Sequence, residues 1–361
     1  MRVYKRLFNE IIGPENLFLA WREFRRGKSD KSGVVEFERQ LESHVFQLHR
    51  ELANKSYRHG SYISFFINDP KRRHVHKATI RDRLLHHAVF RVLNLVFDPT
   101  FISPSFSCRT AKGTLKGVDH LRTMLRQVSR NHTIVCYVLK CDIRQFFASI
   151  DHSILLTSVK KKIKDPAVIW LVKELVESYQ TEMVFDFTRE RERESKNTPK
   201  IGLPIGNLTS QLFANLYLNQ FDQFVKHKLK VKHYARYTDD FVIVAQDPNY
   251  LKSLLEPIKL FLAARLKLEL HPNKVEVRKC SHGIDFLGYV ALPHYRVLRQ
   301  RTKRRMFRKL ALKMKSYQQG KLSKEALKHS LLSYLGILSH ANTYKLGQKL
   351  KNWYWFGPSN Y

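Results

Sequence analysis

The stretch HYARYTDDFVIVAQD, residues 233–247, places two adjacent acids between two apolar runs. The runs HYARY and FVIVA are rich in aromatic and β-branched residues, so they predict two strands joined by a tight turn that carries Asp239 and Asp240. Adjacent carboxylates repel each other, and the pair is unfavourable unless a cation neutralises it. Hard divalent cations prefer carboxylate oxygens, so this hairpin is a candidate metal site. An isolated acid pair can also reflect only the preference of Asp for turns, and a partner acid elsewhere would favour the metal.

A third acid follows another predicted strand. TIVCYVLKCDI, residues 133–143, is β-branched and apolar, which predicts a buried strand that ends at Asp142. A site for two ions about 3.5–4 Å apart, as used in phosphoryl transfer, needs carboxylates from more than one strand. We therefore predict that Asp142 joins Asp239 and Asp240. One ion would lower the pKa of an attacking hydroxyl, and the other would stabilise a leaving pyrophosphate.

The charge of the chain indicates a polyanionic partner. Lys and Arg number 65 against 31 Asp and Glu, a formal net charge of +34. The basic residues are spread along the whole chain, which favours a nucleic acid over a membrane surface. The four cysteines form no C-x-x-C pair, so they predict reduced thiols rather than a zinc site. No run approaches the about 20 apolar residues of a membrane span, and we expect a cytoplasmic protein with no membrane partner.

Two motifs resemble the catalytic boxes of reverse transcriptases. RYTDDF, residues 236–241, resembles their Tyr-x-Asp-Asp box, and KCDIRQFFASIDH, residues 140–152, resembles the first catalytic box. The resemblance implies that Asp142, Asp239 and Asp240 bind two Mg²⁺ ions, with Mn²⁺ possible, and that Ile143 belongs to the metal site. It also implies that Phe147 is the steric gate that excludes a ribose 2′-OH. An ordinary core aromatic is the other interpretation of Phe147.

The resemblance extends over most of the chain. DPKRRHVHKATIRDRLLHH, residues 69–87, is similar to a fingers box in which Lys71 and Arg73 would meet the triphosphate of a dNTP, although both could be solvated charges. SFSCRTAKGTLKGV, residues 105–118, resembles the next fingers box and implies a nucleic-acid contact for Arg109. HPNKVEV, residues 271–277, looks like a later palm box. It makes Lys274 either a proton donor to pyrophosphate or a surface lysine after a turn.

One box departs from the usual pattern. In LPIGNLTSQ, residues 203–211, Ile205 stands where most reverse transcriptases have Gln, and Gln211 stands where Pro is usual. This combination resembles the reverse transcriptases of diversity-generating retroelements, bacterial and phage systems that copy a template RNA with frequent errors at adenines. By that resemblance Ile205, Gly206 and Gln211 bind the nucleotide. Ile offers no amide hydrogen bond, so base geometry would be checked less strictly. The alternative is that Ile205 only packs and that Gln211 only caps a helix, for which Asn207 is the predicted N-cap.

The end of the chain is basic and helical. Apolar residues recur at helical spacing from residue 307 to residue 317, which predicts an amphipathic helix with a cationic outer face. Backbone phosphates are the natural ligands of that face. The predicted contacts are Arg301, Arg304, Arg305 and Arg308. The terminal aromatics Trp353, Tyr354 and Trp355 could stack on bases, dock a protein partner or pack against these helices.

Together these features predict an α+β right-hand polymerase fold. We expect fingers at 1–135, a palm with an antiparallel sheet and the acids at 136–295, and a basic helical thumb at 296–361. The predicted function is error-prone, RNA-directed DNA synthesis for mutagenic retrohoming. The expected partners are template RNA, the cDNA or its primer, dNTPs and a small basic oligomeric accessory protein. The alternatives are a retron, antiviral or group II intron reverse transcriptase, or a catalytically silent RNA-binding scaffold.

Overall fold

Helices and one β-hairpin make up the first third of the chain. The computed structural model describes residues 3–69, 72–179 and 200–356. Thr79 is the N-cap of the long helix that follows the hairpin, because its hydroxyl accepts a hydrogen bond from the Asp82 backbone N–H. The elements of this region are α1 Phe8–Ile12, α2 Pro14–Arg25, α3 Ser32–Arg39, α4 Leu41–Ala53, β1 Ile63–Ile67, β2 Arg73–Lys77, α5 Ile80–Phe97 and α6 Thr114–Val128.

A four-stranded antiparallel sheet occupies the centre, in the order β4-β5-β3-β6. Its strands are interrupted by helices that cover one face. The elements of this region are β3 Tyr137–Asp142, α7 His152–Lys160, α8 Pro166–Glu177, α9 Leu208–Gln223, β4 Tyr234–Tyr237, β5 Asp240–Ala245, α10 Pro248–Ser253, α11 Leu255–Leu266 and β6 Glu276–Lys279.

The central sheet separates two hydrophobic cores, because alternate side chains of a strand point to opposite faces. On β3, Leu139 and Cys141 join the larger core with the N-terminal helices and α7, α8, α9 and α11. Val138 joins the second core with α6 and the C-terminal helices, and Val242 of β5 lies on that side too. Burial on both faces explains why these strands are almost continuously apolar.

The C-terminal region combines a small antiparallel sheet with helices that pack on the second core. The connection between β8 and β9 contains the predicted boundary at 295/296, and the domain limits remain predictions. The elements are β7 Ile284–Phe286, β8 Tyr289–Ala291, β9 Arg296–Leu298, α12 Gln300–Gln318, α13 Lys324–Leu338 and α14 Tyr344–Phe356.

The predicted α+β class is confirmed, with the acids on an antiparallel central sheet and a helical C-terminal region, as in a right-hand polymerase fold. Among the described helices, none combines the length and apolar character needed to cross a membrane.

Candidate active site

The three predicted acids meet at one end of the central sheet. Tyr237 pairs with Asp240 across the hairpin, so Thr238 and Asp239 form a two-residue turn between β4 and β5. The antiparallel register of β3 and β5 places Asp142 directly opposite Asp240. The Ile143 backbone N–H donates to the Asp239 carbonyl oxygen at 3.2 Å, which fixes the turn against the end of β3. The structure therefore brings together every acid of the predicted triad.

The carboxyl groups of this cluster repel one another in a poorly solvated place. Burial, followed by the negative charges of Asp239 and Asp142, raises the pKa of Asp240 to about 6. Burial also raises the pKa of Asp239, and the charge of Asp142 acts in the same direction. The Asp142 carboxyl group also favours the protonated form of Asp240, so both neighbouring acids oppose its ionisation. An added cation would remove this conflict.

Lys274 lies in the same site and partly neutralises it. Its ammonium Nζ is 2.8 Å from Oδ1 of Asp142, and the lysine side chain is 38% exposed. The turn that carries Lys274 is held at the end of β3, because the His271 N–H donates to the Asp142 carbonyl oxygen at 2.8 Å. This contact with one of the three acids goes beyond what a surface lysine would show. Its role as a proton donor stays a prediction.

The chemistry of the donors suits a hard divalent cation, since all three side chains supply carboxylate oxygens. As the described side chains stand, no group of three His, Cys, Asp or Glu residues is arranged to hold a metal ion. Asp142 is turned to Lys274 instead. The donor atoms are of the chemical type that suits the ions implied by the resemblance. Metal binding would require Asp142 to exchange its contact with Lys274 for one with the metal.

A fully buried ion pair supports the turn that carries Asp239, and it was not predicted from the sequence. Arg236 of β4 and Asp222 of α9 are both inaccessible to solvent, with Nη2 and Oδ2 2.6 Å apart. The Arg236 Nη1 group also donates to the Thr238 carbonyl oxygen at 3.0 Å, and the Thr238 hydroxyl donates to the Ser107 hydroxyl at 2.7 Å. A usable signal existed, because an arginine within the apolar strand HYARY must find a partner when it is buried.

The unusual box packs against the fingers hairpin, which is the hairpin formed by β1 and β2 in the predicted fingers. The His76 N–H of β2 donates to the Ile205 carbonyl oxygen at 3.2 Å, and the Ile205 side chain is half-buried. Gly206 has φ +136°, and a Cβ there would lie 3.0 Å from the His76 carbonyl oxygen, so the close approach requires glycine. Gln211 is exposed on α9. The box therefore joins the central region to the hairpin.

The two predicted triphosphate ligands are placed differently. Arg73 begins β2 and is exposed, and its positive charge acts to lower the pKa of Asp239 against the larger effect of burial. Arg73 is thus close enough to the acids to act on them. Lys71 lies outside the described residues.

Phe147 and its neighbour Phe146 differ in burial. Phe146 is 2% exposed in the larger core, whereas Phe147 is half-buried on the short 3₁₀ turn after β3. The two rings are edge-to-face with centroids 5.4 Å apart, and the Phe147 carbonyl oxygen accepts from the Leu203 N–H at 2.8 Å. Phe146 lies within the larger core, and Phe147 packs against the edge of the same core. The gate function itself stays a prediction.

The arginines predicted to bind nucleic acid fall into two groups. The Arg109 guanidinium is bound to Asp98 at 2.6 Å and to the carbonyl oxygens of Ile102 and Ser105, which gives it a structural role in the described fold. The arginines of α12 are exposed or half-buried along that helix: Arg301, Arg304, Arg305 and Arg308. Their contacts with phosphates remain a prediction.

One capping prediction was wrong in its detail. Asn207 stands at the N-cap position of α9, but its side chain makes no capping hydrogen bond. The Asn207 amide instead donates to the Tyr62 hydroxyl at 3.1 Å, since this residue also joins the helix to the segment before β1.

Known proteins share this sequence pattern. The chain is 23% identical to the group II intron-encoded protein LtrA of Lactococcus lactis subsp. cremoris, over 80% of this chain and 56% of that protein. It is 21% identical to protein YkfC of Escherichia coli (strain K12), over 62% of each chain. The chain therefore spans between half and two thirds of the length of these relatives. A solved structure of apo telomerase from Candida tropicalis, truncated from its C-terminal domain, matches 69% of this chain and 59% of its own at 11% identity and a TM-score of 0.47.

A family model described as reverse transcriptase (RNA-dependent DNA polymerase) matches residues 68–291. This range includes the second strand of the fingers hairpin, the unusual box, the three acids and Lys274. The match covers more than half of the chain, and the chain belongs to the reverse transcriptase family.

Proposed function

We propose that this chain is an RNA-directed DNA polymerase whose active site is the carboxylate cluster at the end of the central sheet. The observation that carries the proposal is the register of β3 and β5, which sets Asp142 opposite Asp240 beside the turn with Asp239. Their burial and mutual repulsion favour a cationic ligand. The net charge of +34 favours a nucleic acid as the substrate.

The roles of the side chains follow from their positions. Asp142, Asp239 and Asp240 would hold two Mg²⁺ ions, with Mn²⁺ possible, and Ile143 would border them. When bound, such ions activate the primer 3′-OH and stabilise charge on the phosphates of the dNTP. The Lys274 ammonium, now 2.8 Å from Asp142, would turn to the leaving pyrophosphate and give it a proton. Arg73, with Lys71, would bind the triphosphate, and the thumb arginines would hold template RNA and cDNA.

The choice of deoxyribonucleotides is tested at Phe147. The wild-type protein should extend a primer on an RNA template with dNTPs and discriminate against rNTPs. Phe147→Val should admit rNTPs about tenfold more readily or better, because the smaller side chain leaves room for the 2′-OH, while dNTP incorporation changes little. Phe146→Leu serves as a control for disturbance of the core. No extension by the wild type would contradict the polymerase, and unchanged sugar selectivity would contradict the gate.

Within this function we propose the error-prone synthesis of a diversity-generating retroelement. Ile205 and Gln211 support this, because the usual Gln and Pro of the box are absent. An isoleucine would hold the nascent base pair by apolar contact alone. It has no hydrogen-bonding group that could stabilise a correct base pair more than an incorrect one. The same resemblance implies a small basic oligomeric accessory protein. It also implies that the protein acts in the bacterial cytoplasm and is encoded by the bacterium or by a phage.

Sequencing of the cDNA tests the error-prone assignment. Ile205→Gln should lower misincorporation opposite template adenines by about tenfold, because an amide becomes available to the nascent pair. Ile205→Leu is the matched control, since it alters shape without adding a hydrogen-bonding group, and it should retain the wild-type errors. An error spectrum shared by all three proteins would contradict the role of Ile205.

A group II intron type of reverse transcriptase is the second candidate. The similarity to the intron-encoded protein LtrA favours it. The two candidates differ in fidelity, so accurate wild-type cDNA at template adenines would select this one.

A further inference from the structure

Helix α12 presents cations on two opposite sides. Arg305 and Lys309 contact Asp69 at the tip of the fingers hairpin, so this side faces the hairpin. Lys303 and Phe307 are each two residues from Arg305, which at 3.6 residues per turn directs them about 160° away from it. The second cationic side therefore faces away from the fingers, outside the polymerase cleft.

This second side forms one wall of a groove whose other wall is α14. The groove has a volume of about 870 Å³. Phe307 of α12 and Trp353 of α14 form its aromatic floor, with ring centroids 5.1 Å apart and planes inclined at 57°. Tyr344, at the start of α14, borders the groove and is 77% exposed. A side chain this exposed gains no stability from the core, and its ring face is open to a ligand.

The rim of the groove is cationic. Lys303 and Arg304 line it from α12, and Lys345 and Lys349 line it from α14. Of the described residues that border the groove, none is acidic. This charge is complementary to an anion with regularly spaced charges rather than to a neutral apolar peptide.

Aromatic rings beside a row of cations match one class of ligand closely. In single-stranded nucleic acids the base faces are free to stack on aromatic side chains while the phosphates meet Lys and Arg. A duplex hides those faces within its own stack. We infer that the groove between α12 and α14 binds a single-stranded nucleic acid outside the polymerase cleft. This site uses none of the three acids, so it does not depend on the proposed polymerase function.

Binding by the full chain tests the inference, with matched variants on one helix. The probe is a fluorescent, unstructured RNA of about 12 nucleotides, within the site sizes of about 4–16 nucleotides for such grooves. Saturating unlabelled hairpin primer–template duplex occupies the cleft during the anisotropy titration. Tyr344→Ala removes an exposed ring of the groove, and Trp355→Ala removes a ring that is 69% exposed on α14 but lies outside the groove. Lys349→Glu and Lys351→Glu make the same charge change inside and outside it.

We expect Tyr344→Ala and Lys349→Glu each to weaken binding of the single strand by about tenfold, in line with the loss of one base stack. Trp355→Ala and Lys351→Glu should bind as the wild type does, and primer extension on a short template should be unchanged in all four. Equal effects of the two changes within each matched pair would overturn the inference, because residues of the groove would then contribute no more to binding than residues outside it. Tyr344-dependent binding of a polyglutamate peptide, with RNA binding unaffected, would also overturn it and would identify a protein partner.

Discussion

The turn residue Thr238 has a backbone conformation that is rare for a β-branched side chain. Its φ is +54°, in the left-handed region, and a two-residue hairpin normally uses glycine at such a position. Two hydrogen bonds hold it there, from Arg236 to its carbonyl oxygen and from its hydroxyl to Ser107. Arg236 can serve in this way because Asp222 neutralises it within the core. The geometry of the three acids thus depends on a buried ion pair that makes no contact with their side chains.

Asp222→Asn should destabilise the protein by about 3 kcal/mol, because it leaves the buried Arg236 without a counter-charge. Urea denaturation of the metal-free protein measures the effect. Glu256→Gln is the control, since its ion pair with Lys259 is exposed, with the charged atoms 4.0 Å apart, and should contribute less than about 0.5 kcal/mol. Equal, small losses in both variants would show that the buried pair does not stabilise the fold.

Asp240 makes stability depend on pH in a defined direction. Its pKa is raised to about 6 in the folded protein, above that of an unfolded chain, so the folded state is penalised as pH rises through that value. Asp240→Asn removes the charge and should stabilise the metal-free protein by about 2 kcal/mol at pH 8. The gain should disappear below about pH 3, where Asp240 is protonated in the folded and in the unfolded protein. Thermal unfolding in chelator across this range measures it, and a gain independent of pH would contradict the assigned repulsion.

Residues of the site were predictable from the sequence where their position depends on the strand next to them in the chain. Asp142 ends one apolar strand, Asp240 begins another and Asp239 lies in the turn before it, and the structure brings the three together. Asp222 and Ser107 could not be assigned from the sequence, because their partners are 14 residues or more away and depend on how α9 and the segment before α6 pack. Asn207 was placed correctly at the start of a helix, but its side chain is drawn to Tyr62 by tertiary contact.

The fingers hairpin contacts helix α12 of the predicted thumb. Asp69, which follows β1, forms ion pairs with Lys309 and, at 3.9 Å, with Arg305 of α12. The strong helical periodicity of α12 made the helix predictable, whereas nothing in either segment indicates their contact. We expect this bridge to help retain a nucleic acid bound between the hairpin and α12.

Asp69→Asn should therefore release a bound primer–template several-fold faster, because the bridge that retains it is weakened. Dissociation into an excess of unlabelled trap, followed by fluorescence, measures the rate. The difference should vanish at about 0.5 M salt, where exposed charges are screened. Asp30→Asn, at an exposed acid elsewhere on the fingers, is the control. A rate for Asp69→Asn that equals this control at low salt would refute the bridge.

The net positive charge of the whole chain favours binding to the proposed nucleic-acid substrate. The net charge of +34 comes from basic residues along the whole chain, and α12 carries many of them. Composition alone made this predictable, because charge counts need no tertiary structure. The division of the cations between cleft and outer groove was not predictable, since it follows from the packing of α14 on α12.

Binding of a single strand should weaken steeply with salt. If about six to ten phosphates are neutralised, the logarithm of the binding constant should fall against the logarithm of salt with a slope of about −4 to −7. Anisotropy titrations between about 50 and 300 mM salt give this slope. A slope near zero would mean that the cations do not contact the phosphate backbone.

We expect the carboxylate cluster on β3 and β5 to catalyse RNA-templated DNA synthesis. The most direct test of this expectation is single-turnover incorporation of one dNTP, with Mg²⁺ and an RNA template, by the wild type and by Asp239→Ala. Asp30→Ala controls for the loss of an exposed acid. We predict incorporation by the wild type and the control, and a loss of about 100-fold or more in Asp239→Ala, since the transition-state charge then lacks its support. Equal rates in all three proteins would contradict the claim.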